Sequence, residues 1–204
     1  MKKASILFAA AFLVIACKKK PEPPSSALLL PPSSASPAPA AAPASATPPS
    51  QLPMGVTWED PAAWKRMPVS NAMRKATYQI PRSGSDTEDG ELAVFYFGPG
   101  QGGSIDANVD RWVKQFSGVK PDQVHRADRN ANGLRQHTVE VESGTFSSGM
   151  PGGPSQAKPS YGMLGGIVEA PSGAYFFKLT GPAATVKSAR ETFYKLLDSV
   201  KPSA

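Results

Sequence analysis

Four glycines between a strand pattern and a helix pattern form the stretch of this sequence nearest to a chemical motif. Gly98-Pro99-Gly100-Gln101-Gly102-Gly103 spells GxGxxG, the arrangement in which backbone amides at a helix start cradle a pyrophosphate. Asp128 stands where a ribose-binding acid could close a following strand. Three features oppose that chemistry. Pro99 removes one of the amide donors such a loop offers. The later chain reads as hairpins rather than repeated βαβ units, and the N-terminus reads as an export signal that leads away from the cytoplasmic nucleotide pool. Ser104 follows Gly103 where a Walker-type loop needs lysine. The turn is therefore expected to join a strand to a helix, with no cofactor bound.

Metal and nucleophile chemistry find even less support. His125 and His137 are the two histidines, and neither has a carboxylate or cysteine at ligand spacing. A zinc site would need distant acids such as Asp128 or Glu140. No GxSxG occurs, and Ser147-Ser148-Gly149 falls in a Gly/Ser/Pro-rich stretch. Asp86, Glu88 and Asp89 lack the spacing of a calcium loop and read as solvated. Trp58, Trp64 and Trp112 are expected to fill the core, Trp58 having the best claim to an exposed contact. No catalytic residue and no metal ligand is assigned, and the chain is expected not to be an enzyme.

The elements around the glycine turn follow from periodicity. Glu91–Phe97 is a run of β-formers and predicts a buried strand. From Ser104, the residues Ile105, Val109, Trp112, Val113 and Phe116 recur at helical spacing, with Asp110 and Lys114 as an outward i,i+4 pair. Upstream, short extended pieces are expected at Val56–Glu59 and from Trp64 to Pro68, and a strand at Met73–Ile80. Downstream, Gln123–Asp128 reads as a weak strand, Asn130–Gly133 as a turn, and Leu134–Glu142 as an alternating strand with His137, Val139 and Val141 on one face. Ser143–Ser160 is expected to be a mobile loop. Tyr161–Glu169 and Ala174–Thr180 flank a hairpin turn, Thr180 is the expected N-cap of a closing helix with Pro182 in its first turn, and Glu191 pairs with Lys195 on the outer side.

The N-terminal quarter has a different character. Met1–Cys17 carries Lys2 and Lys3 and then an apolar run from Ala4 to Ala16, too short for a spanning helix of ~20 residues. Val14-Ile15-Ala16-Cys17 resembles the lipobox of bacterial lipoproteins. The resemblance implies diacylglyceryl transfer to Cys17, cleavage before it and acylation of the new amine. Residues 1–16 are then a signal peptide. Cys17 is the only cysteine, so no intrachain disulfide competes for it. Lys18, Lys19 and Lys20 suit anionic headgroups, and the absence of Asp after Cys17 points to the outer membrane, facing the periplasm.

Pro21–Pro53 is Pro, Ala and Ser with almost no charge and holds 11 of the 22 prolines. Such a composition buries no core and predicts a disordered tether over 17–53. The tail also explains the charge. The chain is +6, but five lysines against one acid precede residue 54, leaving 17 basic and 15 acidic residues beyond it. No clustered basic face is visible, and nucleic acid is not an expected partner.

Residues 54–204 are enough for one domain with a proper core. The pattern of strands, helix, hairpins and terminal helix predicts an α+β fold with an antiparallel sheet and helices packed on it. The Trp64 segment, the midchain helix and the ending GAYFFKLTGPAATVKSARETFYKLLDSV are similar to the PsbP-like α/β/α sandwich over roughly Val56 to Val200. GGSIDANVDRW also resembles uncharacterised exported bacterial lipoproteins. The resemblance implies a docking or assembly module rather than an enzyme, held to the membrane through lipid on Cys17 and serving an envelope protein partner. The competing class, an envelope hydrolase, would need two titratable groups converging in a pocket.

Overall fold

The computed structural model describes residues 55–69, 71–148 and 156–203. Its elements are β1 (Gly55–Thr57), β2 (Lys65–Met67), β3 (Arg74–Ile80), β4 (Gly90–Tyr96), α1 (Ile105–Val113), β5 (Phe116–Ser117), a 3-10 turn (Pro121–Gln123), β6 (Val124–Ala131), β7 (Leu134–Ser148), β8 (Gln156–Ala170), β9 (Gly173–Pro182), α2 (Ala183–Ser199) and β10 (Lys201–Ser203). Eight strands make one antiparallel sheet in the order β2-β3-β4-β9-β8-β7-β5, with β6 pairing β7 beside β5. Strands β1 and β10 form a separate two-stranded pair. Among the described residues no helix is long and apolar enough to cross a membrane.

The helices cover opposite faces of the sheet. Strand side chains alternate between faces, so Phe177 and Leu179 of β9 join Leu164 and Val168 of β8 beneath Val186, Ala189, Phe193 and Leu197 of α2. On the other face Phe176, Met163, Ile167, Val139 and Val141 pack beneath Val109 and Trp112 of α1. Each large apolar side chain withdrawn from water contributes ~1.5–3 kcal/mol before chain entropy is charged against it. Both faces of β8 and β9 are therefore apolar, and Tyr161–Val168 is buried without interruption.

All three tryptophans serve the core: Trp64 and Trp112 are buried, and Trp58 is half-buried, donating to the Tyr78 hydroxyl at 2.8 Å with its ring edge-on to Phe177.

Several expectations need correction. The stretch 143–160 is not a loop over its described part, because β7 runs to Ser148 and β8 starts at Gln156. Phe146 is the reason: it is buried against Phe116 and stacks on Tyr161, anchoring a segment whose Gly and Ser residues gave no strand signal. Helix α1 ends at Val113, and Phe116 reaches the same core from β5. Strand β6 continues to Ala131, so the turn is the two-residue Asn132-Gly133, with φ of 51° and 75° suited to a tight hairpin.

Thr180 does not cap α2. It remains in β9, and Pro182 occupies the cap position without a side-chain bond. Asp86 supplies the missing acceptor from a distant loop, bonding Thr185 N at 2.7 Å and Thr185 Oγ1 at 2.6 Å. The pairing of Asp110 with Lys114 is also replaced, since Asp110 bonds Arg126 of β6 at 2.9 Å. Glu191 and Lys195 do pair, at 2.6 Å.

Candidate functional site

Strand β7 bulges between Val141 and Gly144, beside the N-terminal half of α2. A bulge bends its strand and re-aims the side chains around it. Here it leaves a groove of about 630 Å³ between α2 on one wall and β6 and β7 on the other. Val141, Leu164 and Val186 make its floor, and Ala183 and Ala184 keep the helix wall low. Gln123, His125, Glu142, Ser143 and Lys187 stand along its rim.

A charged cluster stands along its lining. Arg190 grips Glu140 in two parallel bonds, Nε to Oε2 and Nη2 to Oε1, both at 2.9 Å, while the Tyr194 hydroxyl donates to Oε1 at 2.6 Å. Partial burial works to raise the Glu140 carboxyl, but the Arg190 and Tyr194 bonds outweigh it and hold the group below the ordinary carboxylate range. Burial, then the bond to Glu140, pushes the Tyr194 phenol up to about 12. His125 Nε2 meets Glu142 Oε1 at 2.9 Å. Lys187 makes no ion pair among the described residues and is exposed.

The glycine turn has a different purpose. Gly98, Gly100, Gly102 and Gly103 all have positive φ, so glycine is required by the backbone. The nearly buried Asn108 amide fills the concavity, donating to Gly102 O at 2.7 Å and Ser104 O at 2.8 Å. Ser104 Oγ accepts from Ala107 N. What converges at this helix start is a pair of carbonyls held by a side chain, the opposite of the amide array that a phosphate needs. Asp128 lies on an antiparallel strand facing His137, away from any ribose position.

The histidines correct the sequence reading, because both do meet carboxylates. His137 lies between Asp128 (Nδ1, 2.8 Å) and Glu169 (Nε2, 2.7 Å). The two acids sit on opposite nitrogens of one ring, an arrangement that ties β6, β7 and β8 together but cannot converge on one ion. Among the described residues no group of three or more His, Cys, Asp or Glu could hold a metal. His137, helped by Arg135, keeps the Asp128 carboxyl below its usual range.

The acidic loop is likewise engaged rather than merely solvated. Asp86 caps α2, Asp89 accepts from Arg82 N at 3.0 Å and Gln79 Nε2 at 2.6 Å, and Glu88 binds Lys158 and the Tyr161 hydroxyl. Cys17, the expected lipidation site, lies outside the described residues, as do Gly149 and the tether.

No family model matches the chain, and no curated protein does. Among solved structures it is similar to the crystal structure of PA94, a protein of unknown function from Pseudomonas aeruginosa. The likeness is at 15% identity with a TM-score of 0.40, covering 71% of this chain and 95% of that one.

The groove has no local signature in the sequence, although two of its residues, His125 and Glu140, are among those on which a zinc site would have to draw. A usable signal existed in the Asn132-Gly133 dipeptide. Counting outward from a two-residue turn places His125 opposite Glu140 and Asp128 opposite His137, which is the observed register.

Proposed function

We propose that this chain is a lipid-anchored protein of the bacterial cell envelope whose folded domain is a non-catalytic binding module, with the groove beside α2 as its contact site. The groove itself carries the reading. Its floor is apolar and open, while Glu140 is spoken for by Arg190 and Tyr194, and Glu142 by His125. An acid–base pair poised for proton transfer needs groups free to exchange protons with a substrate, and Glu140, the more buried carboxylate of this groove, is not free in that sense.

The anchor rests on Val14-Ile15-Ala16-Cys17, with Cys17 as the lipidated residue. The 36 residues from Lys18 to Pro53 then act as a tether that reaches at most ~110 Å as polyproline II. That span lets the domain meet an envelope partner some distance from the outer membrane. The antiparallel sheet with one helix on each face is compatible with kinship to the PsbP-like sandwich, in which such domains serve docking and assembly.

Crosslinking on intact cells, followed by mass spectrometry of what the chain retains, tests the binding role. A specific envelope protein is expected; recovery of none above background from the wild-type chain would overturn it. Fatty-acid labelling tests the anchor. Label is expected on the wild type and absent from Cys17→Ala, and an unlabelled wild type would sink the lipid assignment.

A further inference from the structure

We infer that the groove receives the C-terminal end of a partner polypeptide, its last apolar side chain lying on Leu164 and Val186 and its free carboxylate meeting Lys187. This rests on the binding reading above and specifies what is bound.

The unengaged polar groups decide the ligand's charge. Glu140 already has the Arg190 guanidinium and Glu142 is hydrogen-bonded by His125, so a ligand bringing a positive group would have to displace one of these partners. The groups left over are donors. Lys187 has no carboxylate partner among the described residues, and the Gln123 amide nitrogen is open because its carbonyl accepts from Lys120 N at 3.0 Å. Among the first-turn amides of α2, that of Thr185 is already taken by Asp86. An acceptor that carries charge is what Lys187 and Gln123 complement.

The walls decide the rest of its chemistry. A cavity of about 630 Å³ is within the ordinary range for a short peptide end or a drug-sized molecule. A bare alkyl chain would shed water from the Glu140–Arg190 and His125–Glu142 pairs without replacing those hydrogen bonds, a cost that a peptide backbone avoids with its own N–H and C=O groups. The floor accepts an apolar side chain, and the Arg190–Glu140 pair lines the groove beside it. A terminal carboxylate is the one negative group that every polypeptide carries beside an arbitrary apolar side chain.

The test is fluorescence anisotropy on the full chain with fluorescein-Gly-Ser-Gly-Ala-Leu-Val. Three arms accompany it: the same peptide as its C-terminal amide, palmitate as competitor, and two variants. Lys187→Gln removes the cation from an exposed position, and Ala184→Phe fills the groove from an exposed helix position, so both should fold. The free acid is expected to bind, with amidation or Lys187→Gln weakening it at least tenfold and Ala184→Phe abolishing binding at an unchanged melting temperature. Equal binding of acid and amide, binding of neither, or binding of palmitate in place of the peptide each overturns the proposal. The Ala184→Phe chain carried into the cellular crosslinking separates this failure from that of the broader reading. A partner lost with Ala184→Phe while all peptides stay silent keeps the groove as a binding site and discards the C-terminal ligand.

Discussion

Gly165 and Gly166 stand side by side in β8, and each yields its side-chain space to a different helix. A Cβ on Gly165 would lie 2.7 Å from Trp112 Cζ3 and 2.8 Å from Val139 Cγ1, whereas one on Gly166 would lie 2.9 Å from Leu197 Cδ1. Trp112 belongs to α1 and Leu197 to α2, so this dipeptide sets how closely both helices approach the sheet. Overpacking of such a contact costs ~1–3 kcal/mol.

Gly165→Ala is therefore expected to destabilise the domain by about 2–3 kcal/mol, a melting shift of roughly 4–10 °C at this size. Gly166→Ala should cost less, since Leu197 is the softer neighbour. Trp112→Phe in the Gly165→Ala background should recover part of the loss as a coupling energy. Urea denaturation of five proteins (wild type, Gly165→Ala, Gly166→Ala, Trp112→Phe and the double variant) measures this, and a neutral Gly165→Ala would mean that the helix is free to move outward.

The Glu140 cluster predicts a pH dependence. Glu140 has its folded-state carboxyl below the usual 4.5, so its stabilising effect is present above that pH and is lost as pH falls through the folded value. Glu140→Gln should cost about 1 kcal/mol at pH 7, modest because more than half of the Arg190 side chain is in water. The gap between variant and wild type should narrow only below pH 4.5 and close as pH falls through the folded value. A denaturation series from pH 7 down through the acid range below 4.5 checks the sign, and a gap that does not narrow anywhere in that range would assign the effect to packing.

Much of this fold was legible because period and propensity agreed. Strand β4, the apolar stripes of α1 and α2, and the hairpin from β8 to β9 all announce themselves through alternation or helical spacing. What stayed hidden depended on pairing between distant segments. Phe146 makes strand out of a Gly/Ser-rich stretch only because Phe116 and Tyr161 come to meet it. Asp86 caps a helix that begins 97 residues later in the chain, with Ala183. The groove is more distant still from local signals, since it exists where a bulge in β7 and two small residues of α2 happen to face each other.

The glycine turn gives a prediction that separates architecture from ligand binding. Asn108 is almost wholly buried and holds Gly102 O, Ser104 O and Arg111 at once. Asn108→Ala leaves Gly102 O unserved, while Ser104 O keeps the backbone amide of residue 108, and should cost about 1–2 kcal/mol. NAD, ATP and GTP should leave the melting temperature of the wild type unchanged. A phosphate ligand at ~100 times its dissociation constant would add ~2.7 kcal/mol, so a reproducible rise with any of the three would restore the nucleotide reading.

Lys178 supplies the last prediction, because its ammonium is placed where the fold would prefer a neutral group. It projects from β9 toward α1, bonds the Gln115 side-chain oxygen and lies 5.3 Å from the centre of the Phe146 ring, with no carboxylate partner among the described residues. Burial lowers the amine from 10.5 to about 8. Between those values the unfolded chain binds the proton and the folded chain does not, so wild-type stability should rise with pH from about 8 to 10.5. Below that window the charged lysine opposes folding, by an amount on the order of 2–3 kcal/mol. The cation–π contact offsets ~1 kcal/mol of it. Lys178→Met keeps the length and removes the charge, and should stabilise the domain by about 1–2 kcal/mol at pH 7. The advantage should shrink as pH approaches 10.5, where the wild-type amine is neutral in both states. Melting curves of the two proteins at pH 7, 9 and 10.5 test this directly. A variant that is less stable at pH 7 would show that Gln115 and Phe146 hold the ammonium more tightly than burial penalises it.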